Sequence, residues 1–294
     1  MKALLRTFQH TVRLAGSNRR LLAPFLLCAF VQAFLVGLAW LAPQPPFSTL
    51  LAPPVRYFYG ERALHYPWHL WFLYFSMKHA HLFTSLVIGA YMSGIACAMV
   101  QGIHQQANPT MQKALASGKV RYGRTMLLWV ITWGIAKGIM VAIEQFTPKS
   151  SALLWGVIGA MMVLQALLAY AIPASVFEDS PWWKALWQSI REALCYPLST
   201  FMIILLPSAA VIAFGIAASP NRLAMWMSET TPEIAVAFVA IRLAVWTLAD
   251  AFLTVGLSHL WWMHRLPVTA LQRIGEAIPN VASQRLGRGP AMAS

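Results

Sequence analysis

Negative charge is the scarcest thing in this sequence: nine Asp and Glu stand against 22 Lys and Arg in 294 residues, and charged residues of both signs make up only 11%. A soluble domain usually carries about a quarter charged residues, so the composition excludes one. So thin a supply of carboxylates also argues against a soluble-type acid/base centre. No nucleophile elbow, phosphate-binding loop, dinucleotide fingerprint or HExxH helix is present either, and the expectation is a protein that is not an enzyme and holds no cofactor. Cysteine is equally sparse. Cys28, Cys97 and Cys195 fall within apolar runs without CxxC or Cys/His spacing, which indicates neither disulfides nor zinc and reads them as small buried hydrophobes.

What fills the chain instead is apolar, at 59% of residues. A hydrocarbon core about 30 Å thick takes about 20 such residues as a helix, and six segments qualify: roughly 21–42, 82–101, 126–146, 152–174, 195–218 and 234–262. The expected fold class is an all-α membrane protein with six transmembrane helices in one domain, 1–265. A cytoplasmic tail, 266–294, rich in Gly, Ala, Ser and Arg, is expected to be partly disordered. The second span has room to begin earlier, at the aromatic stretch Trp68-His-Leu-Trp-Phe-Leu-Tyr-Phe75, which equally suits an interfacial belt. The basic N-terminus and first apolar run look superficially like a secretory signal. That run is too long for one, and Pro43 follows where cleavage would fall, so it reads as a retained first span.

Positive charge sorts by side. Lys2, Arg6, Arg13, Arg19 and Arg20 precede the first span; Lys113, Lys119, Arg121 and Arg124 lie between the second and third; Lys184 and Arg191 between the fourth and fifth; Arg265, Arg273, Arg285 and Arg288 after the sixth. The other side has Arg56, Arg62, Lys78, Lys149 and Arg222, so the excess is about three to one and both termini are expected in the cytoplasm of a bacterial inner membrane. The same clustering beside apolar runs argues against nucleic acid as a partner for a chain of net charge +13. The loop at 43–81, punctuated by PQPP, APP and YPW, falls on the non-cytoplasmic side.

Each odd-numbered span is preceded by a short amphipathic stretch: 3–14, 109–121 and 181–194. In the last, Trp183, Leu186, Trp187, Ile190 and Leu194 recur at helical spacing while Lys184, Gln188, Arg191 and Glu192 face elsewhere. Such a helix lies in the interface, with tryptophan at headgroup level and basic groups reaching phosphates. Asp179 or Ser180 suits its N-cap and Pro181 its first position. Lys-Ala-Leu at 113–115 and at 184–186, each followed by Ser117 or Ser189, points to three repeated units of interfacial helix plus transmembrane hairpin. The residues expected to hold lipid are Trp182, Trp183, Lys184, Trp187, Arg191, Lys113, Lys119, Arg121 and Arg124.

These residues carry a family resemblance. Pro173-Ala-Ser-Val-Phe-Glu178-Asp179, then Ala185-Leu186 and Ser189-Ile-Arg191, together with Pro109-Thr-Met-Gln-Lys-Ala-Leu115 upstream, resemble the six-span membrane domain fused to some bacterial glycerophosphodiester phosphodiesterases and its free-standing relatives of uncertain function. The resemblance covers about residues 100–260. It implies a fold and a membrane setting; no phosphodiesterase catalytic domain is present, so it supplies no catalytic residues.

Ionisable groups at bilayer depth are costly and mark function by default. Lys137 and Glu144 fall in the third span, Arg242 and Asp250 in the sixth. A Lys137–Asp250 or Arg242–Glu144 pair would neutralise both; the alternatives are a polar pathway or snorkelling ends. His65, His69, His79 and His81 are near enough in sequence to recruit a metal or haem, although histidine beside Trp and Tyr reads first as interface packing. Three functions are therefore open: a non-enzymatic protein that binds, organises or moves membrane lipid; a transporter or channel for a small ion or solute using the intramembrane charges; and an accessory subunit of a membrane redox or metal complex. The partners expected are membrane lipids, with other membrane subunits or a second copy besides.

Overall fold

The computed structural model describes residues 9, 11–14, 16–105, 111–146, 151–218 and 231–265. The side chains at 136, 137, 139–146, 151–154 and 265, the tail and most of the first amphipathic stretch lie outside the described residues. Every regular element among the described residues is helical. A short 3₁₀ turn, Arg19–Leu22, leads into α1 (Ala23–Leu41), followed by α2 (Ser48–Tyr59), α3 (Trp68–Thr84), a π-helical turn (Ser85–Gly89) and α4 (Ala90–His104). Then come α5 (Met111–Phe146), α6 (Ser151–Leu168), α7 (Ala171–Phe177), α8 (Trp182–Cys195), α9 (Pro197–Ala217) and α10 (Ile234–Arg265).

Five helical stretches among the described residues are long and apolar enough to cross a membrane: Arg19–Leu41, Trp68–His104, Trp155–Phe177, Pro197–Ala217 and Ile234–His264. Their outward faces are apolar too. Phe30 is 69% exposed, Leu206 53% and Leu248 64%, an arrangement that water would penalise by roughly 1.5–3 kcal/mol per large side chain and hydrocarbon would not. The chain is a membrane-embedded all-α protein.

In one place the elements follow one of two alternatives open in the sequence, and in two they differ from its expectation. Trp68–His104 is one continuous helical rod through the π turn, so the aromatic piece at 68–75 belongs to the span. Its His69, His79 and His81 make ring contacts with Trp40 of α1, Tyr59 of α2 and Trp246 of α10, while Trp68 and His79 stay exposed. The second amphipathic stretch is no separate helix: it is the opening of α5, whose 36 residues exceed what a bilayer requires. The loop at 43–81 is largely helical, containing α2 and a 3₁₀ turn, Glu61–Leu64, before α3 begins.

The hub of the bundle is α10, which packs on α1, α3, α4, α7 and α9. Gly256 permits its close approach to α9, since a Cβ there would stand 3.1 Å from Ile203 Cγ2. Around Trp261, a core of Leu128, Tyr170, Ile204, Leu257 and Leu260 joins α5, α6, α9 and α10 beneath α8. A second core, built on Ile95, Met99, Val100 and Val255, binds α4 to α10.

Candidate functional site

Two features of this bundle have the chemistry of a site, and they sit at different depths. The first is α8. Successive residues turn by about 100°, which divides the helix into three sectors. Ala185, Ser189 and Ala193 are buried against the bundle. Trp183, Trp187 and Leu194 form an apolar stripe that no described residue covers, with Trp187 68% exposed. Lys184 and Arg191, seven residues apart and both exposed, run along its other flank. Small residues, with Leu186 beside them, thus dock the helix to the protein, while Trp183, Trp187 and Leu194 face away from it.

The docking is hydrogen-bonded. The buried hydroxyl of Ser189 accepts the Tyr170 backbone N–H at 3.0 Å and donates to the Leu167 carbonyl at 2.8 Å, satisfying backbone groups left over where α6 ends. Gln188 donates its amide to the Glu178 carboxylate and accepts from the Ser180 hydroxyl at 3.2 Å. Arg124 of α5 lies 2.8 Å from Asp179, and Arg121 lies 3.4 Å from the same carboxylate. Hydrogen bonding to Arg124 first, then the charges of both arginines, hold the Asp179 carboxyl below the usual range. Along the same helix, partial burial pushes Glu192 up, with Arg191 opposing.

Several sequence expectations meet this arrangement. Neither Asp179 nor Ser180 caps α8 through its side chain: the helix starts at Trp182 with Pro181 as N-cap, and Asp179 has a positive φ of 51°. Its carboxylate is taken by arginine instead. Arg121 and Arg124, expected to meet lipid, are engaged with Asp179, whereas Lys113, Lys119, Lys184 and Arg191 are exposed. The stretch 173–191 that carries the family resemblance builds this joint, with Pro173, Ala185 and Ser189 all buried.

The second feature lies inside the bundle. Asp250 of α10 lines a cleft of about 30 Å³ together with Phe25, Cys28, Gln32, Thr84 and Thr247 among others. Gln32 and Thr84 are buried, and among the described residues neither the Gln32 carbonyl oxygen nor the Thr84 hydroxyl has a hydrogen-bond partner. Each such orphan costs about 1–3 kcal/mol. Thr247 donates to the Leu243 carbonyl at 2.7 Å, which leaves its oxygen an acceptor. The π turn stands in the cleft's wall, contributing Ser85 and Gly89; such turns often mark functional positions.

Of the other intramembrane charges, Arg242 lies over the rings of Trp246 at 4.2 Å and Tyr74 at 4.9 Å. The side chains of Lys137 and Glu144 lie outside the described residues, and so do the pairs expected of them. Among the described residues, the helices carrying them meet at the core around Leu128 and Trp261; α5 otherwise packs on α4, α6, α7 and α8. The four histidines diverge. His65 is 3.7 Å from Glu61, His69 packs on Trp40, His79 on Tyr59 and His81 on Trp246 at 3.9 Å. No group of three His, Cys, Asp or Glu converges on a point among the described residues.

Sequence reading missed two associations. Gln32, Thr84 and Thr247 come from helices far apart in the chain, and a single polar residue in an apolar run was their only signal. His104 Nε2 and His259 Nδ1 are 3.0 Å apart with Trp262 stacked on His104; neither histidine has a local pattern that would flag it. Comparison with family models, with curated proteins and with solved structures gives no match for this chain.

Proposed function

We propose that the chain is a non-enzymatic multi-pass protein of the bacterial inner membrane that binds and organises lipid at its cytoplasmic face through α8. The observation that carries this reading is the uncovered stripe of Trp183, Trp187 and Leu194 on a helix whose small face is fixed to the bundle. A bilayer interface accommodates such a stripe about 5–10 Å deep, and Lys184 and Arg191 then stand level with lipid phosphates. Exposed Lys113 and Lys119, near the start of α5, extend the basic surface.

In this reading the chain crosses six times, with α5 supplying the third span, and the basic flanks face the cytoplasm together with both termini. The kinship to the membrane domain of glycerophosphodiester phosphodiesterases is part of the proposal and rests on the sequence around 173–191 and at 109–115. Native mass spectrometry of the protein released from anionic lipid tests it. The wild type should retain anionic lipid and Lys184→Glu/Arg191→Glu should retain less; equal retention by both would refute the reading. A transporter or channel is the second reading, favoured by the cleft at Asp250.

A further inference from the structure

The geometry points to a binding site for a small monovalent cation, of the size and hardness of sodium, in the cleft between α1, the α3–α4 rod and α10. This site is independent of the lipid reading. Its donors are oxygens: the Asp250 carboxylate, the Gln32 amide carbonyl and the hydroxyls of Thr84, Ser85, Ser93 and Thr247. Carboxylate, carbonyl and hydroxyl oxygens select hard cations over the softer transition metals. One carboxylate balances one charge, which favours a monovalent ion over calcium or magnesium.

Space agrees with charge. A cavity needs on the order of 10–15 Å³ of this measure to hold one water, so about 30 Å³ admits a small ion with a water but excludes an organic solute. The buried acceptors make the stronger argument. The Gln32 carbonyl oxygen and the Thr84 hydroxyl are enclosed and lack partners among the described residues, though most buried polar atoms in folded proteins are satisfied. An ion in the cleft would satisfy both at once.

Asp250 has no ion-pair partner among the described residues. Arg242 stands eight residues away on the same helix, about 12 Å along its axis, and is held by Trp246 and Tyr74. Among the described residues, then, no charged neighbour holds the carboxylate in a structural pair. Cys28 is the titratable group beside it on α1. The π turn brings Thr84 and Ser85 to the cleft from the end of α3 while Ser93 reaches it from α4, so both sides of the irregular turn contribute oxygens.

The test is thermal unfolding of the full chain in detergent, in sodium, lithium or N-methylglucamine chloride at equal ionic strength, with radioactive sodium binding alongside. Sodium should raise the unfolding temperature saturably, and Asp250→Asn should abolish both the shift and the binding. Thr84→Val, nearly isosteric, should weaken sodium affinity at least tenfold in a protein that still folds, which covers the case of an unstable Asp250→Asn. Lys184→Glu/Arg191→Glu should keep the sodium shift whatever its effect on lipid. Identical unfolding of the wild type in sodium and N-methylglucamine, sodium binding retained by Asp250→Asn, or an affinity unchanged by Thr84→Val would overturn the site.

Discussion

Arg124 Nη1 stands 2.8 Å from Asp179 Oδ1 and the same nitrogen donates to the Ser180 carbonyl at 3.2 Å, so α5 grips the turn that launches α8. Asp179 is mostly exposed, with 65% of its side chain open to solvent, and exposed pairs contribute about 1 kcal/mol or less. A double-mutant cycle on Arg124→Gln and Asp179→Asn, read by thermal unfolding in detergent, should give a coupling within that bound. The sign with pH follows from the lowered carboxyl: the latch is at full strength above about pH 4 and is lost as pH falls through the lowered folded value. The stability gap between wild type and Asp179→Asn should accordingly be constant near neutrality and close in acid. A gap that widens in acid would contradict it.

Ser189 is the more consequential contact, because it is fully buried and serves two backbone groups at once. Ser189→Ala leaves the Tyr170 N–H and the Leu167 carbonyl without it, at a cost of about 1–3 kcal/mol. Thermal unfolding should show the loss, and α8 should become more open to proteolysis. Wild-type stability in Ser189→Ala would mean that α8 is held by apolar packing alone.

Arg242 should matter through its rings. Its guanidinium lies over the rings of both Trp246 and Tyr74, contacts worth about 1–2 kcal/mol where partly desolvated. Arg242→Met should lose this in unfolding measurements, and Arg242→Lys should lose part of it, because an ammonium lacks the planar stacking surface. A Met variant as stable as wild type would remove the structural role and return Arg242 to the candidates for a polar pathway.

Much of the helical layout was legible in the chain, because hydrophobic runs of bilayer length leave few alternatives. The third amphipathic stretch was legible as a helix: the spacing of Trp183, Trp187 and Leu194 appears as an exposed stripe on α8, within one residue of its expected start. What could not be read was tertiary. By composition the stretch 68–75 suits a span and an interfacial belt equally, and the ring contacts of His69, His79 and His81 with α1, α2 and α10 exist only in the fold. Asp179 has the residue type of an N-cap, yet two arginines about 55 positions upstream compete for it. The cleft depends on Gln32, Thr84 and Asp250 meeting from three separate helices, and nothing local to any of them announces the others.

The depth of Trp187 relative to Lys184 tests the central claim most directly. With the native cysteines replaced, nitroxide labels at Trp187→Cys and Lys184→Cys in liposomes can be compared by collision with oxygen and with a water-soluble nickel chelate. The account predicts that the label at 187 favours oxygen, at a depth of about 5–10 Å below the headgroups, while the label at 184 favours the chelate. Equal and ready access of the chelate to both positions would put the tryptophan stripe of α8 in water and contradict the lipid-binding reading.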